Sequence, residues 1–283
     1  MRRILQLSLL GLAAGAMNAC KPEEVISTTT PPTAGVRFIH AVPDTGIMDF
    51  RAVDGVDFVE HHGVAFRSAS GAFYKNAIAG SRHIRIFMSV PVFSTLPAEQ
   101  QQAIASTVMA DTTLTLEADH RYTFLLWGFA RTGSSPSMHL TVLDDNPADP
   151  GTAVALRLVN AGAGLGAVDG REYPSSGSAP TDPTWANVAE LTASSYVTAP
   201  TGSIKFNVTA AGTATALFTP DATALAGSPA TIDLDALPGT TVAGSAVSGF
   251  LFPRSVAGSP AASFANPGMT FWWDRRPPRP PGV

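Results

Sequence analysis

The chain has 283 residues, 45% hydrophobic and 14% charged, with a net charge of −4 from 18 Lys+Arg and 22 Asp+Glu. Globular chains average about 25% charged residues, whereas disordered ones pair few apolar residues with high net charge. The composition therefore excludes wholesale disorder and suits an exported β-protein, and the mildly acidic balance without a basic stripe excludes nucleic acid as a partner.

The first residues have a processing layout. Arg2 and Arg3 give a positive start, Ile4 to Ala16 is an apolar stretch, and Met17-Asn18-Ala19-Cys20 closes it with a small residue before the only cysteine. Residues 1–19 read as a secretory signal peptide, with an apolar run shorter than the roughly 20 residues that span a bilayer. The segment resembles the lipobox of bacterial lipoproteins, in which the cysteine becomes the first mature residue and carries lipid. That family prefers Leu where Met17 stands. The resemblance makes Cys20 the candidate lipid-attachment residue, and no second cysteine competes for it in a disulfide. It implies a membrane partner reached through a lipid anchor, palmitate included, and stable anchoring takes more than one acyl chain. In proteobacterial lipoproteins Asp after the cysteine retains the protein at the inner membrane. Lys21 stands there instead, which directs the expectation to the outer membrane or cell surface. Residues 20–34 are a polar Thr/Pro segment that reads as a flexible tether.

Strand patterns follow and repeat. Val36–Ala41, Ile47–Val53, His83–Ser89, Arg121–Gly128 and Met138–Leu143 are predicted strands of a first domain at 35–147. Ile84, Ile86 and Met88 alternate with His83, Arg85 and Phe87, the period of a half-buried antiparallel strand. Tyr122 to Trp127 is apolar on both faces, as in a central strand or one at a domain contact. A helix is predicted over Pro97 to Val108. Asp144 to Gly151, with two prolines, reads as an inter-domain linker.

In a second domain at 152–274, Ala155–Ala161, Ser203–Thr209, Thr231–Leu234, Val242–Phe252 and Thr270–Trp273 are predicted strands. Gly162 to Pro183 reads as a long loop and Asn187 to Leu191 as a helical turn. Val36-Arg37-Phe38-Ile39 and Leu156-Arg157-Leu158-Val159 open the two halves alike, and Gly80-Ser81 and Gly202-Ser203 precede matching strands. This self-similarity indicates a duplication. The fold class expected is all-β: two tandem antiparallel β-sandwich (Ig-like) domains. Residues 275–283 form a Pro/Arg-rich tail with polyproline character.

Val36-Arg37-Phe38-Ile39-His40-Ala41-Val42-Pro43-Asp44, followed by Met48-Asp49-Phe50, resembles the opening of the domain of unknown function 4397 (DUF4397). The Gly80 turn, the Tyr122 strand and the Leu143-Asp144-Asp145 ending also fit. The likeness covers residues 35–147 well and 152–275 weakly, where Asn160, Ala163 and Gly164 replace His40, Pro43 and Asp44. It implies architecture and a bacterial surface or secreted location, with no activity attached.

His40, Asp44 and Asp49 are the candidate site residues. They read either as a binding, metal or His–Asp catalytic cluster or as a structural turn, since Pro43-Asp44-Thr45-Gly46 has turn chemistry. The second half keeps the backbone pattern without His40 and Asp44, which favours the turn. His61 and His62 are adjacent, so in a strand they point to opposite faces, and they read as surface loop residues. Asp144, Asp145, Asn146 and Asp149 are oxygen donors of the calcium type, though without the spacing of a known loop. No catalytic residue, cofactor or metal is expected. The leading expectation is a cell-envelope lipoprotein acting as a non-catalytic binding or scaffold module for an unknown protein or glycan at the cell surface. The alternatives are a carbohydrate-binding module stacking sugars on Trp127, Trp185, Trp272 or Trp273, and a metal-dependent or enzymatic module using His40, Asp44 and Asp49.

Overall fold

The computed structural model describes residues 30–54, 60–90, 95–105 and 107–279. Residues 1–19, Cys20 and most of the Thr/Pro segment lie outside the described residues. The chain divides into Met1–Pro31 and Pro32–Val283, and the β-architecture belongs to the second unit.

Two sandwiches are built in parallel fashion. In the first, β1 (Thr33–Ala41), β4 (Ser68–Ala69), β5 (Lys75–Ile78), β8 (Arg121–Trp127) and β9 (His139–Asp144) form one sheet, ordered β4-β1-β8-β9 with β5 also on β1. The facing sheet runs β3-β2-β6-β7, from β3 (Glu60–Val64), β2 (Met48–Ala52), β6 (Gly80–Met88) and β7 (Val108–Leu116). In the second sandwich, β13 (Thr192–Ala193), β10 (Val154–Asn160), β17 (Ala246–Phe252) and β18 (Gly268–Arg275) form the inner sheet, with β14 (Val197–Ala199) on β10. The outer sheet orders β12 (Trp185–Val188), β11 (Val168–Pro174), β15 (Ile204–Ala210) and β16 (Ala222–Thr223). Pairing is antiparallel except at the centre of each inner sheet, where β1 runs parallel to β8 and β10 parallel to β17.

The period-two alternation of β1 and β10 explains a four-layer stack. Val36 and Phe38 turn into the first core with Met48, Phe50, Ile86 and Phe124. Leu156 and Leu158 turn into the second core with Phe206, Val247 and Leu251. The other faces meet between the domains, where Ile39, Leu125 and Trp127 pack against Val159, Phe250 and Phe252. Both faces of Tyr122 to Trp127 are thus buried, as its doubly apolar pattern predicts.

Several expectations need correction. The predicted helix over Pro97 to Val108 is shorter: α1 spans Ala98–Ala105, and Val108 already opens β7, whose β-branched Thr112, Thr113 and Thr115 favour a strand. Thr231–Leu234 is a turn, because the Thr231 amide bonds the Leu234 carbonyl at 2.8 Å and closes the backbone on itself. Gly162 to Pro183 holds β11, paired along its length with β15. Asn187 and Leu191 flank no helix and have positive φ of 50° and 58°.

Candidate functional site

His40, at the end of β1, is fully buried. The Val42 amide donates to Nδ1 at 3.2 Å, which leaves the proton on Nε2 to donate to the Gly46 carbonyl at 2.9 Å. Burial pushes its pKa down to about 4, although the Gly46 bond and the Asp44 charge act the other way. Asn160, at the same place in β10, repeats this pairing with an amide. Its Oδ1 accepts from the Gly162 amide at 3.2 Å, and its Nδ2 donates to the Gly166 carbonyl at 2.9 Å. In each half the side chain bridges the residues two and six positions onward, so one side chain holds the turn closed.

The two aspartates beside His40 face different partners. Asp44 accepts the amides of Ala130 and Arg131 in the β8–β9 connection at 2.9 and 3.0 Å. Asp49, in β2, accepts the Gly63 amide at 2.8 Å, with Arg51 and His62 also in reach. Burial alone would raise its pKa, but these donors and Ser89 hold it below the usual carboxylate range. Its counterpart Asp169 accepts the amides of Asn187 and Gly212, which likewise lower its pKa. The three candidates therefore tie down three separate backbone segments. Among the described residues no group of three or more His, Cys, Asp or Glu is placed to hold a metal ion.

His61 and His62 lie on β3 and point to opposite faces, but only His62 is a surface residue. His61 is buried against the Phe50 ring, centroids 5.6 Å apart, and burial pushes its pKa down to about 3.

A buried polar assembly lies between the two inner sheets. Arg37 and Arg157 project from β1 and β10 towards each other's domain, together with Asp145, just after β9, and Asp274, near the end of β18. Arg37 reaches Asp274 at 2.9 Å and Asp145 at 3.3 Å, and it donates to Thr123 on the neighbouring strand. Arg157 pairs with Asp145 and donates to Ser248 at 2.6 Å. Each guanidinium lies over a tyrosine of its own half: Arg37 is 4.5 Å from the Tyr74 ring and Arg157 4.6 Å from the Tyr196 ring. The phenols donate to the carboxylates, Tyr74 to Asp145 at 2.8 Å and Tyr196 to Asp274 at 2.9 Å. Burial would lower both guanidinium pKa values, yet Tyr74 and the two carboxylates raise that of Arg37, and Asp145, Asp274 and Tyr196 raise that of Arg157. Asp145 is thus part of the interface and not of a solvated linker, and its oxygens are committed to arginine rather than free for calcium. A charge recurring within both apolar strand openings was the available signal. An arginine in a strand apolar on both sides must meet a buried counter-charge.

The strand directions define two ends. The chain enters β1 at Thr33, and β9 and β18 finish at the same end, where Thr33, Phe73, Tyr74, Arg121, Trp273 and Arg276 line a cleft of about 420 Å³. At the far end the β17–β18 excursion straps the domains together. Arg67 donates to the Pro253 carbonyl from Nε at 3.1 Å, and the Val256 amide donates to the Pro43 carbonyl at 3.1 Å. A larger cleft of about 610 Å³ opens there across both halves, lined by Phe129, Leu165, Arg254, Val256 and Phe264 among others.

The indoles form no stacking platform: Trp127, Trp185 and Trp273 are buried and Trp272 packs against Phe250 and Phe252. The tail folds back on its own chain, with Arg275 on Asp149 at 2.7 Å and Arg276 on Asp235 at 3.4 Å. No helix among the described residues is long and apolar enough to cross a membrane.

No curated protein matches the chain. Residues 34–171, which span the first sandwich, β10 and the opening of β11, match the family model described as Domain of unknown function (DUF4397).

Proposed function

We propose that the protein is a cell-envelope lipoprotein, attached through Cys20, whose two β-sandwiches act as one rigid, non-catalytic binding or scaffold module at the cell surface. The observation that carries this reading is the polarity of the fold. The chain enters the first sandwich at Thr33, at one end, while the cleft spanning both halves opens at the other. A module anchored through its N-terminal segment holds that far cleft outward, where a protein or glycan partner meets it. Clefts lined by apolar groups with a few polar ones are the usual form of binding site. Phe129, Val256 and Phe264 with Arg254 fit that form. The commitment of His40, Asp44 and Asp49 to backbone amides and carbonyls supports a structural use of these residues over a catalytic one.

The test combines two measurements on cells expressing the full chain. Labelled palmitate should enter the wild-type protein and not Cys20→Ala. Pull-down from intact cells should recover a partner with the wild type and lose it with Arg254→Glu, which reverses the charge in the far cleft. Palmitate incorporation independent of Cys20 would refute the anchor, and a partner retained by Arg254→Glu would refute the far cleft as the binding face.

A further inference from the structure

The turn between β16 and β17 exposes more apolar surface than its surroundings explain. Ile232 is 77% exposed, Leu234 68% and Leu237 51%, and these lie within six residues. Single exposed apolar residues are ordinary, whereas a cluster at a loop tip marks a contact. The turn is also held in shape. Thr231 and Leu234 close it through the 2.8 Å backbone bond, Ser228 and Leu237 exchange backbone bonds at 2.9 Å, and Arg279 donates to the carbonyls of Thr231 and Ile232. Arg276 and Arg279 both reach Asp235. A braced, apolar tip does not bury itself in its own core.

Its position identifies what covers it. Arg276, which grips Asp235, lines the same cleft as Thr33, where the chain enters β1. The tip therefore stands at the entry end of the fold. Cys20 precedes Thr33 by thirteen residues, a stretch that spans at most about 45 Å even when fully extended. A lipid on Cys20 therefore keeps this end of the module close to the bilayer. We propose that Ile232, Leu234 and Leu237 insert into the interfacial layer of that membrane and set the orientation in which the module stands. The inference rests on the anchored reading above.

The charges beside the tip shape the contact. Arg276 and Arg279 face Asp235, Arg275 faces Asp149, and Asp233 lies within the turn. Three arginines against three aspartates leave no net charge, so apolar burial drives the contact and salt should not release it.

The experiment uses the full chain reconstituted into phosphatidylcholine vesicles, with an environment-sensitive fluorophore on Ile232→Cys and, as control, on Ser259→Cys at the far end. Acylation leaves the introduced thiol as the sole free one, since the chain has one native cysteine. The Ile232 label should shift to the blue and be quenched by lipid-borne quenchers in low and high salt, while the Ser259 label stays solvent-like. A solvent-like Ile232 label on anchored protein overturns the inference, as does a shift that high salt abolishes. Mass measurement of the Cys20 peptide reads the anchor separately. If Cys20 carries no lipid, the same label on Ile232→Cys in a Cys20→Ala background reads the tip alone: a blue shift with vesicles added to the free chain supports membrane insertion of the tip, and its absence overturns it.

Discussion

His40 and Asn160 make the same two bonds to the same relative positions, yet only the histidine titrates. The folded pKa of His40 lies near 4 against about 6.5 in the unfolded chain, so the unfolded state binds more protons between these values. Stability is complete above pH 6.5 and falls as the pH drops towards 4. Full loss for this one residue amounts to about 3 kcal/mol. His61 adds to the slope in the same direction. Urea titrations of His40→Asn at a series of pH values should show a shallower acid loss than the wild type, because the amide keeps the clamp without the charge. An unchanged slope would remove His40 from the account. At the domain seam, Asp145→Ala leaves Arg37 and Arg157 short of a buried counter-charge and should cost about 3–5 kcal/mol by denaturant unfolding. His40 was legible as a turn residue because its repeat replaces it with Asn160. Arg37 and Arg157 were visible in the repeated strand opening, but their partners lie 108 and 237 positions away from Arg37, beyond any local pattern.

Strands whose apolar period is undisturbed were readable from the order of their residues alone. β6 alternates as its residues dictate, and Asp111 across the ladder gathers both His83 and Arg85 on the solvent side. β8 announces its two buried faces through Tyr122 to Trp127. β11 was hidden because its Gly170, Arg171 and Glu172 break the apolar run. Glycine is needed there: a Cβ at Gly170 would lie 2.6 Å from a Leu158 methyl and 3.0 Å from the Trp185 ring. Thr231–Leu234 has strand-like composition but no partner strand among the described residues, and a local turn closes its backbone. Where β8 ends, Gly128 has a φ of 89°, and a Cβ there would fall 2.4 Å from the Ser137 carbonyl oxygen. Gly128→Ala should therefore lower the unfolding free energy by more than about 1 kcal/mol, read as a lower denaturant midpoint at an unchanged m-value. A neutral result would mean that the β8–β9 connection yields.

At the scale of the whole molecule, the two sandwiches share a face that each half supplies and neither can leave exposed. Trp127, Phe250 and Phe252 would be stranded in water if the sandwiches separated, and so would two arginines and two aspartates whose partners lie across the seam. The four layers thus behave as one body, with the cleft across both halves held fixed relative to the end where the chain enters β1. Replacing Trp127 with alanine should weaken both halves together, by about 3–5 kcal/mol, because its indole belongs to the shared core. Scanning calorimetry of the wild-type protein tests this unity most directly. The account predicts one transition whose calorimetric and van't Hoff enthalpies agree. Two resolved transitions, each assignable to one sandwich, would contradict it.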